Sequence, residues 1–251
     1  MTALALTSFA ISHPGGRPYN EDFYGRESHS RSVFCWVVAD GLGGHGGGDE
    51  ASRLAVESTL ESFRARPFVT KPDIERHVLS ADEAIRSRKA AKRQSVGMLT
   101  TLVVLISDGI SALWALVGDS RLYQFRNGRC LLRTRDHSVP QVMATAGDIP
   151  ESAIRHHEDR SRLLRSLGGQ EQTRVEVAES PCTLVKGDSF LLCTDGFWEY
   201  VLETEMEADL AKSAGPDEWL QTMIVDRVLR RAPSQHDNLT AIAVFVQERG
   251  N

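Results

Sequence analysis

Residues 101–128 read TLVVLISDGISALWALVGDSRLYQFRNG, and three short apolar runs inside them carry most of the information about fold class. Residues 101–106, 111–117 and 122–125 are rich in Val, Leu, Ile and aromatic side chains and are bounded by Gly, Asp, Ser or Asn, the signature of strands. The links between them are Ser107-Asp108-Gly109 and Gly118-Asp119-Ser120, and Asn127-Gly128 is the strongest hairpin dipeptide in the chain. Parallel neighbours would need crossovers of about a dozen residues or more, so links this short predict antiparallel meanders.

The same strand signature recurs at 33–39, 190–193 and 239–246. Helical periodicity flanks it. From Asp49 to about Phe63 an apolar stripe runs through Ala51, Leu54, Ala55 and Leu60. Thr70 and Asp73 have capping-box spacing ahead of Ile74, Val78, Ala81 and Ile85. A further helix is expected over 217–230, burying Leu220, Met223, Ile224 and Val228 and ending ahead of Pro233. One-sided elements must bury their apolar faces, which predicts stacked antiparallel sheets covered by helices. No repeat, low-complexity tract or linker interrupts the pattern, so residues 1–251 are expected to form one domain.

Composition narrows the function classes. The chain has 29 Lys+Arg against 34 Asp+Glu, a formal charge of -5, and 41% apolar residues, far from the profile of a disordered chain. Its 4 Cys form no CxxC pair, which argues against a structural zinc site or a disulfide scaffold and for a reducing compartment. The opening MTALALTSFAISH lacks a basic, then apolar, leader pattern, and no stretch approaches the roughly 20 apolar residues that span a bilayer. A cytoplasmic monomer without membrane insertion is the expectation. The negative balance gives no general draw toward nucleic acid. Two basic runs, 86–93 (RSRKAAKR) and 155–165, lack aromatic interleaving and read as solvated faces or mobile loops before they read as sites for a phosphorylated or acidic partner.

Acidic residues, in contrast, stand at the ends of apolar runs. Glu21 and Asp22 precede a strand, Asp40 follows Phe34-Cys35-Trp36-Val37-Val38-Ala39, Asp119 follows a second run, Asp195 a third, and Asp237 opens the last. Carboxylates that converge repel one another unless cations neutralise them, and hard divalent ions such as Mg²⁺ or Mn²⁺ suit an all-oxygen set. Any single aspartate is at least as well explained by a turn or cap.

Seven motifs in order give these residues a context: Arg17-x-x-Asn20-Glu21-Asp22, Asp40-Gly41-Leu42-Gly43-Gly44-His45, Gly97-Met98-x-Thr100-Thr101, Val117-Gly118-Asp119-Ser120-Arg121-x-Tyr123, Asp136-His137-Ser138, Leu191-Leu192-Cys193-Thr194-Asp195-Gly196 and Asp237-Asn238-x-Thr240. Together they resemble the metal-dependent protein serine/threonine phosphatases of the PPM/PP2C family, in its compact bacterial form. The resemblance implies an α+β fold, a four-layer α/β/β/α sandwich with two central antiparallel β-sheets. It implies two Mn²⁺ or Mg²⁺ ions and a third, weaker one. Asp40 matches the carboxylate that bridges both ions, and Gly41 a backbone carbonyl ligand. Glu21 matches a position tied to the same ions, Asp195 and Asp237 match ligands of the first, and Asp119 with Asp195 matches the third site. Asp22 matches an acid that orients water there, and Arg17 the arginine that grips substrate phosphate.

The implied reaction is hydrolysis of phosphoserine or phosphothreonine in proteins by an activated water, with no covalent phosphoenzyme. The implied partners are phosphorylated proteins, with a cognate kinase among them. Three departures from the family pattern stand out, one being Leu99, which stands where a glycine is common between the methionine and the paired threonines. Leu42 occupies the position of a histidine found in eukaryotic relatives, and His45, three residues on, does not inherit its role, so the leaving-group proton is expected from water. The segment 138–165 resembles the family's mobile flap but reads His157-Glu158-Asp159-Arg160-Ser161 where bacterial members carry a Pro and an Asn; Gly147 is expected in a turn there, with a helix starting near Pro150-Glu151. A serine hydrolase is disfavoured because no G-x-S-x-G elbow accompanies the His45-Gly46-Gly47-Gly48 and Gly118-Asp119-Ser120 strings, and Ser120 is expected to brace its turn. A non-catalytic phosphopeptide-binding module would not need the full set of Asp40, Asp195 and Asp237.

Overall fold

The computed structural model describes residues 4–43, 47–92 and 97–248. In chain order the first half holds β1 (Leu4–His13), β2 (Phe23–Ser28), β3 (Phe34–Ala39), β4 (Gly41–Leu42), α1 (Gly48–Ala65), α2 (Lys71–Lys92), β5 (Leu99–Thr100), β6 (Leu102–Ser107) and β7 (Ser111–Val117). The second half holds β8 (Arg121–Arg126), β9 (Arg129–Arg133), α3 (Val139–Ala146), β10 (Glu176–Val177), β11 (Cys182–Thr183), β12 (Ser189–Cys193), α4 (Asp195–Trp198), α5 (Glu203–Leu210), α6 (Pro216–Met223), α7 (Leu229–Arg231) and β13 (Leu239–Glu248).

The strands pair antiparallel into two main sheets, one ordered β1-β13-β12-β8-β9 and the other β10-β7-β6-β3-β2, with β11 also on β7. Successive side chains of a strand point to opposite faces, and the core divides accordingly. From β3, Trp36 and Val38 join Val103 and Leu105 of β6 and meet Leu122, Leu192, Ile242 and Val244 of the other sheet. The alternate residues Cys35, Val37 and Val104 face outward onto Ala55, Phe63, Ile74 and Val78 of α1 and α2. On the far side Tyr123, Phe125 and Ala243 receive Trp219, Leu220 and Met223 of α6. Full burial of each such side chain contributes about 1.5–3 kcal/mol. The result is the predicted order of layers, helices on two face-to-face sheets on helices.

The link that reads as part of a meander does something else. Residues β6 and β7 form a hairpin, but β7 belongs to one sheet and β8 to the other, so Gly118-Asp119-Ser120 carries the chain between sheets. Gly118 has φ 104°, a value open to glycine and strained for other residues. The Asn127-Gly128 hairpin is as expected, with φ of 53° and 73° joining β8 to β9.

Further expectations are corrected in detail. The helix expected over 217–230 is α6 and α7 joined by a π-helical turn, Ile224–Val228. The basic run at 86–93 is the end of α2 as far as it is described, and Arg86, Arg88 and Lys92 pair with Asp82 and Glu50. The run at 155–165 is not simply a solvated loop: Arg155 is 6% exposed and bonds Glu203 at 2.7 Å, and Arg160 bonds Glu199 at 2.8 Å. Pro150 leads into a single 3₁₀ segment, Glu151–His156, and Gly147 caps α3 in the left-handed conformation. Thr70 does cap α2, accepting from Asp73 N–H at 3.3 Å. All four cysteines are free, with Cys35 and Cys193 buried. Among the described residues no helix is long and apolar enough to cross a membrane.

Candidate active site

Strand register gathers the acidic residues. Ala39, at the end of β3, pairs with Phe23, so Asp22 and Asp40 leave the sheet side by side. Val117 pairs with Leu102, which puts Asp119 and Thr101 at the same end. In the other sheet Cys193 pairs with both Ala241 and Arg121, and Leu239 pairs with His13, so Asp195 and Asp237 lie at the matching end. Asp22 and Asp119 are buried, Asp40, Asp195 and Glu21 half-buried, and Asp237 and Arg17 exposed.

This set resists ionisation. Burial, and then repulsion from Asp22, Asp195, Asp119 and Asp237, pushes the Asp40 carboxyl well above the usual carboxylate range. Burial and the charges of Asp195 and Asp136 do the same to Asp119. Asp22 is raised to about 8, chiefly by burial, although hydrogen bonds from Thr240 and Thr194 oppose the shift. Asp195 is raised to about 6 by burial and by Asp237, and Glu21 is raised by burial and by Asp49. Glu199, one turn beyond Asp195 and not singled out by its sequence context, rises to about 7 through burial and the Asp195 charge.

A hydrogen-bonded frame holds the carboxylates in place. Asn238 is its keystone: its Oδ1 accepts from Glu21 N–H at 2.8 Å while its Nδ2 donates to the carbonyls of Pro14 and Tyr19, both at 2.9 Å. Thr194 donates to Asp22 Oδ2 at 2.9 Å and accepts from Thr240 N–H at 3.0 Å. Thr100 donates to the Asp40 carbonyl at 2.7 Å, and Thr101 Oγ1 accepts from Asp40 N–H at 3.0 Å. Ser120 meets Thr101 Oγ1 at 2.7 Å, the bracing role expected of it. Trp198, three residues beyond Asp195 in the one-turn helix α4, donates its indole N–H to the Asp119 carbonyl at 3.0 Å. Arg121 lies 3.4 Å over the Trp198 ring and forks onto Asp136 through two bonds of 2.7 Å. Asn238, Thr194, Thr100 and Thr101 are visible in the sequence as motif members. Their bracing role becomes visible only when strand ends are brought together, and nothing in the sequence singles out Trp198.

Several features fit a divalent cation. Asp22 Oδ1 and Asp195 Oδ1 are buried oxygens with no hydrogen-bond partner, and they belong to groups that repel one another. A side chain at Gly41 would strike the Gly48 carbonyl oxygen at 2.3 Å and the Glu21 carbonyl oxygen at 2.5 Å, so glycine keeps a cradle of backbone oxygens open beside Asp40. Among the described residues no three His, Cys, Asp or Glu side chains form a ready-made cage for one ion. The carboxylates are close enough to repel but too spread to enclose an ion alone, a donor set that suits cations completed by water and backbone oxygen. Arg17 is not free at the mouth: its Nη2 donates to Asp237 Oδ2 at 2.9 Å. Gly44 and His45 lie outside the described residues.

The family model for protein phosphatase 2C matches residues 12–224. The chain is 33% identical over 202 residues to the serine/threonine phosphatase stp of Listeria welshimeri, covering 78% of this chain and 79% of that one. Among solved structures it resembles PppA, a key regulatory component of T6SS in Pseudomonas aeruginosa, with 30% identity, a TM-score of 0.79 and coverage of 96% and 98% of the two chains. It also shares the fold of the catalytic domain of the phosphatase PstP in complex with 2 manganese ions, at 24% identity and a TM-score of 0.78, over 97% and 99% of the chains. The chain belongs to the protein phosphatase 2C family and is a protein serine/threonine phosphatase.

Proposed function

We propose that the chain, as one catalytic domain spanning residues 1–251, hydrolyses phosphoserine and phosphothreonine in proteins at the carboxylate centre, using Mn²⁺ or Mg²⁺. The observation that carries this reading is the convergence of Asp22, Asp40, Asp119 and Asp195 at one end of both sheets, with two buried oxygens unpartnered and, among the described residues, no Lys or Arg in an ion pair with any of the four. In this reading Asp40, Glu21, Asp195, Asp237 and the Gly41 carbonyl hold two ions, and Asp119 with Asp195 a third, weaker one. The solved PstP domain with its two manganese ions shares the fold and supports that number. Such ions, when bound, activate water and offset phosphate charge, so no covalent phosphoenzyme is required.

The chain's own residues supply the rest. Asp22 has one oxygen committed to Thr194 and the other free to accept from water, which would orient it. Arg17 is anchored to Asp237 through one nitrogen, and the remainder of its fork faces solvent, where it can take the non-bridging oxygens of a phosphate. Leu42 offers no proton, so the leaving oxygen takes its proton from water. The segment 138–165 acts as the flap, tied to the body through Arg155–Glu203 and Arg160–Glu199. Free cysteines fit a reducing, cytoplasmic site of action, where the enzyme would act as a monomer opposing a serine/threonine kinase.

The test is release of phosphate from p-nitrophenyl phosphate and from a phosphothreonine peptide. Activity is expected with Mn²⁺ or Mg²⁺ and none after EDTA. Full activity in rigorously metal-free buffer would overturn the proposal.

A further inference from the structure

A basic cleft beside β10 has no part in the chemistry above. It is a hollow of about 340 Å³ whose charged lining is Lys71, Glu75, Arg165, Arg174 and Glu176. Arg135 borders it: with His137, whose hydrogen bond is the larger cause, Arg135 and Arg165 hold the Glu176 carboxyl below its usual range. Three cations therefore line the hollow against two carboxylates, with Arg135 near enough to act on Glu176, in a chain whose net charge is -5.

The cations are under-used. Gly118 N–H donates to His137 Nδ1 at 3.1 Å, so that nitrogen is unprotonated and Nε2 carries the proton of a neutral ring. His137 Nε2 donates it to Glu176 Oε2 at 3.0 Å. Arg165 Nη1 lies 3.2 Å from the same Nε2, a donor facing a donor, and gains no acceptor from it. Among the described residues Arg135, Arg165 and Arg174 form no ion pair with a carboxylate, whereas most arginines elsewhere on the surface do. Lys71 donates to the Glu179 carbonyl at 3.2 Å and, among the described residues, forms no ion pair. Guanidinium groups without a carboxylate ion pair beside β10 suit an extended acidic segment, since each can take one carboxylate.

Position links the cleft to the catalytic centre. A single imidazole ring separates the Arg165 guanidinium from Gly118, the residue before Asp119. We propose that this cleft binds acidic side chains of the phosphoprotein substrate, gripping the segment that flanks the phosphorylated residue while its phosphate lies at the carboxylate centre. The inference rests on the phosphatase reading for the identity of the ligand, though not for its charge.

Fluorescence anisotropy with a labelled, unphosphorylated Asp/Glu-rich peptide tests it without turnover. The peptide should bind, a neutral peptide of equal length should not, and Arg174→Glu or Arg135→Glu should weaken binding about tenfold while Arg174→Lys retains it. In parallel, kcat/KM should favour a phosphothreonine peptide with acidic flanks over one with neutral flanks by about tenfold, and Arg174→Glu should erase that preference while p-nitrophenyl phosphate hydrolysis stays within about twofold. Equal binding by wild type and both charge-reversed variants, or no preference between flanks, would overturn the proposal. Loss of p-nitrophenyl phosphate hydrolysis in the wild type with Mn²⁺ present would instead sink the phosphatase reading, leaving the anisotropy result to decide the cleft.

Discussion

Two groups of buried charge lie within a few residues of each other and are built in opposite ways. In the first, Arg121 and Asp136 are each 1% exposed at the side chain, joined by two bonds of 2.7 Å, and the guanidinium carbon lies 3.4 Å over the Trp198 ring. In the second, Asp22, Asp40, Asp119 and Asp195 face one another, and every one of them is pushed toward the protonated form. The first group neutralises itself and acts as a brace. Among the described residues the second has no such ion pair, and burial and mutual repulsion outweigh the pull of Arg121 on Asp119 and of Arg160 on Asp195. Trp198 touches both, stacking on Arg121 and fixing the Asp119 carbonyl, so the self-sufficient group steadies the dependent one.

Groups built so differently should fail differently. The largest effect is expected in the dependent group: Asp237→Asn should lower the Mn²⁺-dependent rate on p-nitrophenyl phosphate at least about 100-fold with little change in urea stability, because its side chain is half exposed and its loss removes a cation contact rather than packing. In the self-sufficient group, Arg121→Met should cost about 3–5 kcal/mol in urea unfolding, since it strands Asp136 in the interior. Pairing it with Asp136→Leu should restore most of that loss.

A smaller effect is expected from pH. A carboxyl whose pKa is raised by folding favours the folded state when protonated, so stability falls as pH climbs from the unfolded value toward the folded one. With Asp22 raised to about 8 and Glu199 to about 7, the metal-free protein should lose melting temperature between pH 6.5 and 8. His77, lowered to about 4 by burial, acts only below its unfolded value of 6.5 and does not oppose the trend in that window. Mn²⁺ should flatten the slope, and differential scanning calorimetry in both states would show it. The smallest effect is expected where the groups meet. Trp198→Phe keeps a ring beneath Arg121 but removes the bond to Asp119, and should raise the Mn²⁺ concentration for half-maximal activity about 3- to 10-fold while the saturated rate changes less than about twofold.

The same contrast marks how much could be read beforehand. Strands such as β3 and β12 are continuous apolar runs buried on both faces, so their signal is local and strong. Strand β1 escaped because LALTSFAISH is rich in Ala, Ser and Thr and is placed by its pairing with β13, a partner more than 220 residues away. The one-turn helix α4 and the 3₁₀ segment are too short to have a period. Asp40, Asp119 and Asp195 were legible as strand-end acids, and the register that gathers them was not. Asn238, whose three hydrogen bonds stitch residues 14–21 to the site, shows no role until those segments meet. The switch of sheets at Gly118-Asp119-Ser120 was hidden for a related reason: a three-residue link looks the same whether it turns a hairpin or crosses between sheets, and what distinguishes them is the pairing of β8 with β12, a strand more than 60 residues further on.

The most direct measurement is a calorimetric titration of Mn²⁺ into EDTA-stripped protein at pH 7, run in two buffers of different ionisation enthalpy. If burial and mutual repulsion hold these carboxyls toward the protonated form, Mn²⁺ should bind with release of protons, so that the observed heats differ between buffers, and Asp40→Asn should abolish the tight phase. Absence of binding in wild type, or binding that survives Asp40→Asn unchanged and releases no protons, would contradict the account.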